Sequence, residues 1–121
     1  MLIMLFRVVW LLSLALGVWI WSGRGYATLS VHVALGFLLV LLLAVLCVLG
    51  VMARVRLGQV LLAALWVVLL PVVGFGQLSW MAGSEHWMVR VLHLVIGLAA
   101  IGSAEMLAAR AKVAAIRAEA S

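Results

Sequence analysis

Four stretches of predominantly apolar residues follow one another along the chain, each close to the length that crosses a bilayer as a helix. They cover about residues 2–22, 28–52, 57–77 and 86–109, and a tail follows at 110–121. A membrane span needs roughly 20 apolar residues, so four spans occupy most of the 121 residues. Hydrophobic residues make up 70% of the chain and charged residues 9%, whereas soluble domains are about half apolar and about a quarter charged. A soluble fold of this length has too little interior to hide so much apolar surface, and lipid is the expected solvent. No soluble catalytic domain or ectodomain fits between the spans. The expected fold class is all-α: one integral membrane domain, an up-down-up-down four-helix bundle.

Local signals mark the boundaries. The first run, Leu2 to Trp21, carries only Arg7 as a charge. It imitates a signal peptide, with Gly25-Tyr26-Ala27 as a small-residue cleavage site, but it is expected to be retained as a span. Ser22-Gly23-Arg24-Gly25 breaks the run, and Thr28 or Ser30 is an N-cap for the second helix. Arg54 and Arg56 bracket a tight turn. Pro71 is expected to kink the third helix. Ser84-Glu85 reads as a capping hydroxyl and a first-turn acid for the fourth, which continues past Leu107 into a polar, alanine-rich tail.

Alternating spans place Arg7, Arg54, Arg56, Arg110, Lys112 and Arg117 on one side and only Arg24 and Arg90 on the other. The positive-inside rule then puts both termini in the cytoplasm, in a bacterial-type inner membrane. Trp19, Trp21, Tyr26, Trp80 and Trp87 gather near the external boundary as an aromatic belt. The net charge of +5 is dispersed beside apolar runs, so the bilayer, not nucleic acid, is the expected partner. A single cysteine, Cys47, gives no disulfide framework and no zinc pattern, and it reads as a small buried hydrophobe.

Ionisable groups are costly inside lipid, so each one is a functional candidate. Those in the spans are His32, His93 and Glu105, with His86 and Arg90 at the boundary. Aspartate is absent, and no Ser/His/Asp set, HExxH motif or phosphate loop occurs, which argues against hydrolysis and phosphoryl transfer. The second span contains His32-Val33-Ala34-Leu35-Gly36 and the fourth His93-Leu94-Val95-Ile96-Gly97. Each histidine begins an apolar helix on the external side and has a glycine one turn further on the same face. The two imidazoles are therefore expected at similar depth, across the axis of a square bundle and in the two halves of a weak repeat.

Two such rings leave a gap that one metal can fill with bonds of about 2 Å. A naked zinc ion wants four protein ligands, and only two are offered. Haem iron already holds four porphyrin nitrogens and takes two axial histidines. Gly36 and Gly97 would clear space for the macrocycle. Arg90 and Arg24 are candidates for its propionates, because a guanidinium pairs well with carboxylates. The expected cofactor is one haem b with His32 and His93 as metal ligands. Covalently attached haem is excluded by the lack of CxxCH.

A four-helix membrane bundle with HxxxG histidines resembles the small membrane-bound b-type cytochromes of the cytochrome b561-like group. The resemblance covers the bundle plan and the segments His32 to Gly36 and His93 to Gly97. It implies membrane electron transfer. Many members hold two haems, but this chain has no histidine pair near its cytoplasmic ends, so one haem is expected. The chain is then an electron carrier or redox subunit more than a stand-alone enzyme. Its candidate partners are a quinone, an external redox protein, other membrane redox subunits or a second copy.

Other readings remain open from the residues alone. The histidines could be hydrogen-bonded to each other in a cofactor-free accessory subunit, or each could hold a chlorophyll-type magnesium. A small transporter is weakened by the lack of a paired acidic site. Glu105 is expected to pair with Arg54, Arg56 or a tail base, with a proton relay as the lesser role. His86 reads as interfacial, Gly102, Ser103 and Ala104 as packing positions, and Met52 and Met106 as fillers.

Overall fold

The computed structural model describes residues 1–121 and contains only helices and turns. Helix α1 spans Leu2–Trp21, α2 Leu29–Met52, α3 Leu57–Gly76 and α4 His86–Glu119, with a short 3-10 turn at Tyr26–Thr28 before α2. All four helices are long and apolar enough to cross a membrane. The tail is not a separate segment: α4 runs for 34 residues, about 51 Å at 1.5 Å per residue.

The connections show how each helix stops. Gly23, at φ 82, takes the left-handed position just past α1. Arg54 takes the same position after α2 at φ 54. There the Val55 amide donates to the Gly50 carbonyl at 2.9 Å and the Arg54 amide to Val51 at 3.0 Å. This Schellman pattern turns the chain into α3 within four residues.

Two boundary expectations change in detail. Thr28 does precede α2, but its hydroxyl donates to the Gly25 carbonyl at 2.6 Å and caps no α2 amide. Ser84 makes no cap, and Glu85 stands at the cap position itself, so the first turn of α4 holds no acid. Helix α3 runs through Pro71 without interruption. The missing proline amide removes only the bond that the Val67 carbonyl would accept.

Helices α2 and α4 pack against each other as well as against both neighbours, while α1 and α3 do not meet. The cross-section is therefore a rhombus with α2 and α4 on the short diagonal, in place of the expected square. Ala100 and Ala104 permit this approach because they present little more than backbone. The tight core lies where the start of α1, the second half of α2, the start of α3 and the middle of α4 converge. Phe6, Leu43 and Leu107 are its largest fully buried side chains. Trp66 ties α3 to α4 through its indole N–H, which donates to Ser103 Oγ at 2.9 Å. Cys47 is buried in the same core. The outward face is equally apolar, with Leu11, Leu41, Val68 and Val95 all more than half exposed.

One ion pair crosses this end of the bundle. Arg7 on α1 grips Glu105 on α4 with a two-pronged bond, Nε to Oε1 and Nη2 to Oε2, the latter 2.7 Å. The partner of Glu105 is thus Arg7, not Arg54, Arg56 or a tail base, because the α1–α4 packing brings these two side chains to one level. Both side chains are exposed, so this is a surface pair that contributes modestly to stability. Arg7→Leu and Glu105→Leu are each expected to lower the melting temperature in mild detergent, and the double variant to recover at least half of the loss. A thermal double-mutant cycle tests this coupling; additive losses would contradict it.

Candidate cofactor site

The opposite end of the bundle is built differently. The last turns of α1 and α3 and the first turns of α2 and α4 enclose a cavity of about 450 Å³, within the roughly 300–1,000 Å³ common for ligand sites. His32, His93, Gly36, Gly97 and Arg90 line it. Arg24 does not: it is exposed in the α1–α2 connection, and the 3-10 turn brings Tyr26 to the cavity wall instead. His86 also lines the cavity, although its position suggested a surface residue.

His32 and His93 come together. Their ring centroids are 6.3 Å apart and their planes cross at 69°. A metal–nitrogen bond of about 2 Å, added to an imidazole radius of just over 1 Å, separates two rings on one metal by about 6 Å between centroids. No hydrogen bond joins the two rings. His32 Nδ1 instead donates to the Ser13 carbonyl at 3.0 Å. That bond fixes the proton on Nδ1 and leaves Nε2 with a free lone pair. His93 Nδ1 is buried without a partner. Both rings line the cavity.

Each helix contributes one glycine at this level, in two distinct roles. A Cβ at Gly17 on α1 would lie 3.2 Å from His32 Cε1, and one at Gly74 on α3 would lie 3.3 Å from His93 Cε1. These two glycines let the imidazole edges seat against neighbouring backbone. Gly36 on α2 and Gly97 on α4 have open space where a Cβ would stand. They keep the cavity clear one turn beyond each histidine. Trp10 anchors the floor, donating its indole N–H to the Gly97 carbonyl at 3.0 Å. Ser13, Gly17, Gly74 and Trp10 were not singled out in the sequence. The readable signal was at least one glycine on every helix near the same end.

The mouth is polar. Arg90 and His86 line it with Gln77 and Tyr26, and His86 Nδ1 donates to the Trp80 carbonyl at 3.2 Å. A cation with rotatable donors at the rim suits a carboxylate-bearing ligand. No third His, Cys, Asp or Glu joins the histidine pair, so a lone metal ion would find two protein donors and no more. The donor set, the ring spacing and the glycine clearings fit a group that brings its own equatorial ligands. Comparison with protein-family models, curated proteins and solved structures finds no match, so geometry alone carries the functional reading.

The two glycine roles are separable. Alanine is favoured over glycine in a helix interior by about 1 kcal/mol. Gly36→Ala and Gly97→Ala, with nothing to clash against, are expected to raise the unfolding free energy of the ligand-free protein by up to about that amount. Gly17→Ala and Gly74→Ala are expected to lose the gain, because a histidine ring must move. Denaturation by SDS from mixed micelles measures all four; equal effects would refute the distinction.

Proposed function

We propose that the chain is an electron-transfer protein of a bacterial-type inner membrane that binds one b-type haem between His32 and His93. The observation that carries this reading is the pair of imidazoles at 6.3 Å, not hydrogen-bonded to each other, lining one cavity. When bound, the haem would supply one-electron redox chemistry. His32, with its orientation fixed by the Ser13 carbonyl, and His93 would hold it. Gly36 and Gly97 leave room for the macrocycle beside the backbone. Arg90 would meet the carboxylates at the mouth, and Phe37, Leu94 and Leu98 would keep water from the buried edge.

In this reading the helices alternate up and down, with both termini cytoplasmic. Six of the eight basic residues then lie on the cytoplasmic side. Trp19, Trp21, Tyr26, Trp80 and Trp87, all exposed, form the belt at the external boundary. The cavity opens near that boundary, which suits exchange with a quinol or an external redox partner. The second reading is a cofactor-free accessory subunit. It is favoured by one fact: the Ser13 carbonyl satisfies His32 Nδ1 without any metal.

Protein produced with adequate haem supply is expected to show a Soret band and a sharp α-band on reduction, with a pyridine haemochrome near one per chain. The double variant His32→Ala/His93→Ala should abolish both, and Gly36→Leu or Gly97→Leu should sharply reduce loading. Folded, colourless wild-type protein would favour the accessory subunit. For orientation, a C-terminal green fluorescent protein fusion should fluoresce and a C-terminal alkaline phosphatase fusion should be inactive; the opposite pattern would reverse the proposed topology.

A further inference from the structure

We infer that His93 is the exchangeable member of the pair, and that the reduced site admits a small neutral π-acceptor ligand, for which carbon monoxide is the probe, in the place His93 vacates. This rests on the haem reading above. It comes from an asymmetry between two otherwise matched cradles. Each histidine edge lies against a glycine of the neighbouring helix at almost the same distance, 3.2 Å to the Gly17 Cβ position and 3.3 Å to the Gly74 one. On the α1 side the Ser13 carbonyl accepts the His32 Nδ1 proton at 3.0 Å. On the α3 side His93 Nδ1 has no acceptor and no access to solvent.

A ligating histidine normally donates its second N–H to an acceptor, which fixes the tautomer, orients the ring and makes the other nitrogen a stronger donor. His32 has that support and His93 lacks it. Loss of such a partner weakens ligation by roughly ten- to a hundredfold, so the two bonds to one iron are unequal. Exchange is a simple swap. The His93 Nε2 lone pair would be released and the carbon lone pair of one CO would take its place, with no net transfer of an electron or a proton. Space for the incoming molecule exists one turn beyond His93, where Gly97 leaves the cavity open.

The test is a CO titration of dithionite-reduced protein in mild detergent, read by the Soret band. Wild type is expected to bind a single CO. His93→Ala is expected to keep haem in a high-spin form and to bind CO at least about tenfold more tightly, while His32→Ala loses most of its haem. Gly74→Ser places a hydroxyl acceptor beside His93 Nδ1 and is expected to weaken CO binding by roughly tenfold. Gly74→Ala adds similar bulk without an acceptor and should not. A reduced wild-type spectrum unchanged under saturating CO overturns the inference, as does identical CO affinity in the two Gly74 variants. Wild-type protein without a pyridine haemochrome overturns the haem reading itself, a result distinct from haem-loaded protein that refuses CO.

Discussion

An imidazole set among apolar helices has two ring nitrogens to satisfy, and this bundle meets that constraint unequally at its two histidines. His32 meets it on one side with a backbone carbonyl of α1. It reaches that carbonyl because Gly17, one turn on, has no side chain to hold the ring away. His93 Nδ1 is buried without a partner, and Gly36 and Gly97 leave open space one turn beyond the two rings. The close packing that holds the bundle together is displaced to the other end, where Phe6, Leu43 and Leu107 are sealed.

The two ends thus solve opposite problems. One brings helices together with small residues on α4 and bulky leucines on α2, and it closes with the Arg7–Glu105 clasp. The other surrounds the cavity and keeps tryptophan and histidine side chains in place by bonds to main-chain carbonyls. Such bonds place a polar atom without adding a second polar side chain to an apolar interior.

The helices were legible because an apolar run of span length leaves few alternatives, and the glycine or polar break at each end is local information. The matched setting of His32 and His93 was legible for the same reason: a glycine four residues on sits on the same face whatever the neighbours are. The partner of Glu105 was not. Arg7 is 98 residues away in sequence, and the pair depends on α1 lying beside α4 at a particular level. Ser13 and Gly17 were missed likewise, since nothing in the sequence of α1 shows that its carbonyl faces a ring on α2. The caps failed for a different reason. Thr28 and Ser84 are good capping residues by type, but the turns that precede α2 and α4 are stabilised by their own bonds, Thr28 to Gly25 and the His86 amide to Gly83 at 3.2 Å.

The sealed end draws on all four helices and on no residue of the histidine pair. In the proposed reading, the cofactor would therefore enter past Arg90 and His86 into a bundle whose main core it does not have to break.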